Sequence, residues 1–141
     1  MKILLDTNII LDYALQREEF WETAEKVFLL TESEKNIEFV SSSAVTDIFY
    51  VLRKYYGDSF KAQEKLSDIR KLVRILEVSD ANIDYALALR WKDFEDAVQY
   101  AVAVDNDLDV IVTRNVIDFE RNDIPVLTPA ELLNMFTEEY L

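Results

Sequence analysis

The chain has no histidine and no cysteine, a single glycine, Gly57, and two prolines, Pro125 and Pro129. Without His or Cys there is no Ser-His-Asp or Cys-His nucleophile, no imidazole acid–base chemistry and no usual zinc donor set. One glycine is too few for a phosphate-cradling P-loop or a GxGxxG dinucleotide turn. The lack of cysteine leaves no disulfide framework, which fits a cytoplasmic location without requiring it. Long apolar runs are missing too. None approaches the roughly 20 residues of a membrane span, and the opening Met1-Lys2-Ile3-Leu4-Leu5 meets Asp6 too soon for a secretory h-region. What remains is carboxylate chemistry, with or without a hard cation such as Mg²⁺ or Mn²⁺ that prefers oxygen ligands.

Carboxylates are abundant: 28 acidic residues face 15 basic ones, for a net charge of −13. That balance counts against simple electrostatic attraction of nucleic acid. Four carboxylates in a pocket would not account for it, so a solvated acidic surface and a face for a basic partner are both expected. With 141 residues, 50% of them hydrophobic and 30% charged, the chain reads as one domain over residues 1–141, without linker, repeat or low-complexity segment.

Short apolar runs alternate with stretches of helical period. Lys2 to Leu5 predicts a strand, and Ile9, Ile10, Tyr13 and Ala14 then fall on one helical face. A second helix is expected from Glu18 to Glu34, a strand from Ile37 to Val40, and a helix capped by Ser43 and stopped by Gly57. Asp58 or Ser59 opens another helix, Leu72 to Val78 reads as a strand, and Ser79-Asp80 caps a helix to about Arg90. Asp93 to Val104 is helical, Asp109 to Thr113 is a strand, Pro125 to Leu127 a short strand, and Thr128-Pro129 opens a last helix. This alternation predicts an α/β fold of three layers, α/β/α, around a central parallel sheet of four to five strands.

In such sheets ligands bind beyond the carboxyl ends of the strands. Asp6 directly follows the first strand, Asp47 lies in the opening turn of the helix after the second, and Asp118 follows the Val110–Thr113 run. Asp96 stands in the first turn of its own helix. Each has a plainer explanation: Asp6 caps a helix, Asp47 favours a helix dipole, Asp93 and Asp96 form a capping-box-like pair, and Asp118 is a loop residue. Thr7 serves equally as a cap, and Asn8 as the holder of an Asx turn. Only their conjunction favours a shared pocket, and a pocket of like charges calls for a cation.

The segment Leu4-Leu5-Asp6-Thr7-Asn8-Ile9-Ile10-Leu11-Asp12 resembles the opening motif of PIN-domain nucleases, especially the VapC-type toxins of toxin–antitoxin pairs. Asp93-Phe94-Glu95-Asp96-Ala97 resembles the family's third motif, and Val112-Thr113-Arg114-Asn115-Val116-Ile117-Asp118-Phe119 its fourth. The resemblance implies a PIN-like fold, an RNA-cleaving enzyme dependent on Mg²⁺ or Mn²⁺, a homodimer and a cognate antitoxin. Carried over by position, Asp6 and Asp96 match metal ligands, Asp118 or Asn115 completes the site, and Thr7, Asn8 and Asp93 support it. Asp47 stands where the family usually has Glu. Arg53, Lys54 and Arg114 are the candidates for gripping the RNA backbone. Rival readings are a degenerate PIN-like module that binds without cutting, and a receiver-like phosphoacceptor domain. The rings of Phe20, Trp21, Phe49, Tyr50, Tyr55 and Tyr56 are too many for a core of this size, so some should face a dimer mate or an antitoxin helix.

Overall fold

The computed structural model describes residues 1–120 and 123–138. The central strand is β1 (Lys2–Leu5), in which Ile3, Leu4 and Leu5 are fully buried. A continuous apolar run of this kind suits a strand covered on both faces. It lies between β2 (Ile37–Ser41) and β4 (Val110–Val112), with β3 (Arg74–Leu76) beyond β2 and β5 (Val126–Leu127) beyond β4. All four pairings are parallel, in the order β3-β2-β1-β4-β5. A receiver-like sheet would run 2-1-3-4-5, so the strand order removes that reading.

Ile3 and Leu5 face a core built by α1 (Thr7–Ala14), α2 (Trp21–Leu29), α3 (Ser42–Tyr56), α4 (Ser59–Arg70) and α7 (Pro129–Glu138). Leu4 faces the other way, with Phe39, Ile111 and Tyr100. That second layer consists of α5 (Asp80–Leu89) and α6 (Phe94–Asp105), joined through Ala86, Ala97 and Ala101. The expected three-layer α/β/α fold is therefore present, with five parallel strands.

Several helix limits follow from local chemistry. Gly57 ends α3 at φ 65°, a left-handed conformation that glycine adopts without a Cβ penalty. Asp58 accepts from the backbone N–H groups of Phe60 and Lys61, and Ser79 forms a capping box with Asn82. The start of α3 differs from expectation. Strand β2 runs straight into the helix, the cap position is Ser41 rather than Ser43, and the two serine hydroxyls lie 2.9 Å apart. This shift carries Asp47 out of the opening turn into the second. Strand β3 is also shorter than the predicted Leu72 to Val78, because an edge strand is defined only by its pairing with Phe39, Val40 and Ser41. The expected second helix ends at Leu29 and passes into a 3-10 turn, Leu30–Glu32. Among the described residues, no helix is long and apolar enough to cross a membrane.

Candidate active site at the carboxyl edge of the sheet

Strand order reverses direction between β1 and β4, which is where open parallel sheets leave a crevice. Asp6 is the first residue past β1. Its backbone N–H donates to Val112 O, which locks it beside the end of β4. Its side chain is 5% exposed and accepts four hydrogen bonds. Oδ1 receives Thr7 N at 2.7 Å and Gln99 Nε2 at 2.9 Å; Oδ2 receives Thr113 Oγ1 at 2.7 Å and Asn8 Nδ2 at 3.3 Å. The capping role and the pocket role thus coexist, since Asp6 is also the N-cap of α1.

A different arrangement exists at the start of α6. Asp93 caps the helix by accepting from Asp96 N at 3.0 Å, and Asp96 is itself buried at 7% exposure. A 3-10 turn, Val116–Asp118, brings in Asp118. Among the described residues, carboxylate oxygens of Asp93, Asp96 and Asp118 all lie within 4.8 Å of one another. Burial above all, then the charges of Asp6, Asp93 and Asp118, pushes the Asp96 carboxyl up from 3.8 to about 8. Protonation of Asp96 relieves part of that repulsion. The cluster's donors are all oxygens, and its mutual repulsion is what a hard divalent cation relieves, so the residues present fit such an ion.

Of the carboxylates expected to converge, Asp96 and Asp118 lie together, with Asp93 as the third member of the group, while Asp6 stands outside it but near enough for its charge to act on Asp96. Asp47 stands to one side. It lines a recess of about 210 Å³ with Thr7, Ser43, Glu95 and Gln99. Glu95 is raised by its partial burial and then by the charges of Asp47, Asp93 and Asp6, which makes it the acid that links the two regions. Asn115 directs its N–H to Thr113 Oγ1 at 3.0 Å. Arg114 is committed elsewhere: Nε and Nη2 contact Asp12 at 2.7 and 3.2 Å, and its guanidinium lies 4.0 Å from the Phe20 ring centre. Arg53 and Lys54 are exposed in the last turn of α3, nearly two turns from Asp47.

Sequence reasoning did not pick out Gln99, Thr113, Glu95 or Asp12. Two of them had a readable signal. Gln99 follows Asp96 by three residues, hence on the same helix face, and Thr113 directly follows the strand that pairs with β1 beside Asp6. Asp12, 1% exposed, is a buried acid neutralised by Arg114 and, at 3.4 Å, by Arg17.

A parallel α/β/α domain with an acid cluster at its switch point defines a class of metal-binding domains, and comparison with known proteins narrows it. The PIN domain family model matches residues 2–117. The chain is 32% identical over 138 residues to Ribonuclease VapC1 of Aquifex aeolicus (strain VF5), covering 92% of each. A solved toxin–antitoxin complex from Klebsiella pneumoniae matches with 27% identity and a TM-score of 0.63, over 90% of this chain and 97% of that one. VapBC2 from Rickettsia felis, bound to a DNA fragment from its promoter, shares the fold at 20% identity, TM-score 0.68, 90% of this chain and 97% of that one. This chain belongs to the PIN domain family.

Proposed function

We propose that this chain is a metal-dependent endoribonuclease, the toxin of a toxin–antitoxin pair, working in the cytoplasm as a homodimer under the control of a cognate antitoxin. The observation that carries the reading is the cluster of Asp93, Asp96 and Asp118 beside Asp6 at the switch point of a PIN fold. Its support from relatives is the 32% identity to a protein named as a ribonuclease and the 27% identity to one solved in a toxin–antitoxin complex.

Asp96 and Asp118, with Asp93 or Asp6, would hold Mg²⁺ or Mn²⁺. A divalent cation there supplies Lewis acidity toward a phosphoryl oxygen. The protein's own contribution is placement. Thr7, Asn8, Gln99 and Thr113 keep Asp6 in one orientation, and the Asp93 cap fixes the turn that carries Asp96. No side-chain nucleophile is required: water attacks phosphorus, the P–O3′ bond breaks, and the products carry a 5′-phosphate and a 3′-hydroxyl. A cleft of about 450 Å³ opens beside Asn115, walled by the Asp12 and Arg114 pair, the Phe20 ring and the polar side chains of Thr23 and Thr128. Such surroundings suit an unpaired nucleotide, which stacks on aromatic rings and exposes its base edges. Arg53 and Lys54 can reach only RNA that extends past the cleaved bond.

Tyr50 and Tyr55 on α3 and Phe60 on α4 are 64–79% exposed, and this apolar surface supports association. A dimer is expected by light scattering at high micromolar concentration; a strict monomer there would remove that part of the reading. The competing reading, a PIN-like module that binds without cutting, draws on Asp47 standing outside the carboxylate cluster. Incubation of purified protein with RNA decides between them. Cleavage is expected with Mg²⁺ or Mn²⁺ and not with EDTA, and persistence in EDTA would overturn the metal-dependent mechanism.

A further inference from the structure

The opposite end of the sheet holds another buried acid. Glu38 is the second residue of β2, roughly 10 Å of strand before Ser41 and the carboxyl edge. Its register partner is Ile3, on the face packed by α1 to α4. Glu38 is 1% exposed, and neither carboxylate oxygen has a hydrogen-bond partner among the described residues. Burial pushes its carboxyl from 4.5 to about 8. Buried polar groups in proteins are almost always satisfied, and an aliphatic side chain would fill this strand position at no such cost.

Glu38 lines a cavity of about 550 Å³, in the size range of small-molecule sites. The rim is exposed and mainly basic, with Arg70, Lys71 and Arg74 against Glu34. Other polar groups on the wall are already engaged: Thr31 Oγ1 donates to Phe28 O, and Asn36 Nδ2 to Leu30 O. Arg70 Nη1 donates to Val73 O, and Lys71 lies 3.6 Å from Asp68. Arg74 has no ion-pair partner among the described residues. The site therefore offers a buried acceptor without a partner among the described residues and an outer ring of cations.

We propose that this cavity binds a small amphoteric molecule of the basic amino-acid type, its guanidinium or ammonium on Glu38 and its carboxylate toward Arg74 and Arg70. The two oxygens of one carboxylate match the paired N–H groups of a guanidinium. The rim supplies the countercharge for the other end, and the site is separate from the metal cluster.

The test follows the Glu38 carboxyl carbon by NMR in the full chain while pH is varied, alone and with L-arginine, agmatine or citrulline at up to roughly 10 mM. L-Arginine should lower the Glu38 midpoint by about one pH unit or more, because a cationic partner favours the ionised form. Citrulline, of similar shape but uncharged at that end, should leave it in place. Glu38→Gln should bind L-arginine at least roughly tenfold more weakly, and Arg74→Gln should weaken L-arginine but not agmatine, which lacks the carboxylate. An unmoved Glu38 midpoint in the presence of L-arginine would overturn the proposal, and this wild-type readout stands even if a variant fails to fold. So would a rise of that midpoint in Arg70→Gln or Arg74→Gln without any ligand, since Glu38 would then already be paired within the chain.

Discussion

At the junction of β1 and β4 the fold surrounds a buried carboxylate with donors; at the N-terminus of α6 it surrounds one with other acids. Asp6 and Asp96 are almost equally hidden, at 5% and 7% exposure, and close enough for the charge of Asp6 to act on Asp96. Yet Asp6 accepts from Thr7, Asn8, Gln99 and Thr113, whereas Asp96 is pushed up to about 8 by burial and by Asp6, Asp93 and Asp118. One half of the site is finished by the chain itself. The other half is complete only when positive charge arrives, as a proton or as a cation.

The largest effect should come from the unfinished half. Asp96→Asn removes the acid at nearly constant shape, and RNA cleavage with Mn²⁺ should fall by roughly 10³-fold or more while the fold persists. Steady-state cleavage assays with circular dichroism as the folding control measure this; near-wild-type turnover would move the site away from α6. A smaller effect is expected from the finished half. Thr113→Val takes away the 2.7 Å hydrogen bond to Asp6 Oδ2, costing about 1–3 kcal/mol of stability by urea denaturation. The loosened Asp6 should also weaken Mn²⁺ by about 10–100-fold, the usual effect of losing a partner behind the ligands. A Thr113→Val protein with unchanged stability and metal affinity would show that the donors around Asp6 are incidental.

The same contrast explains how much was legible beforehand. Strands and helices followed from apolar spacing and from caps such as Gly57, Ser79 and Asp93, because those signals are local. Asp6, Asp96 and Asp118 could be placed because strand ends in a parallel sheet share one edge. What supports Asp6 was legible only in position, Gln99 three residues after Asp96 and Thr113 just past β4; that their side chains reach Asp6 was not, because both are far from it in sequence. Asp47 falls in the second turn of α3 and not the first because the helix is capped at Ser41, two residues before the expected Ser43. Arg114 looked like a phosphate contact because nothing in its neighbourhood marks Asp12, a hundred residues earlier, as its buried partner.

The acids around Asp96 should exchange a proton for a divalent cation, an exchange that Mn²⁺ titration by calorimetry follows. Burial and the neighbouring acids push the Asp96 carboxyl up to about 8, so a proton on it is expected at pH 7. Mn²⁺ binding to the wild type at pH 7 should therefore release about one proton, read from the dependence of the heat on buffer ionisation enthalpy. Affinity should rise with pH until Asp96 is ionised, near the value cited, and then level off. Asp96→Asn should bind at least roughly tenfold more weakly and release no proton. Equal affinity in the two proteins, or wild-type binding without proton release, would contradict the account.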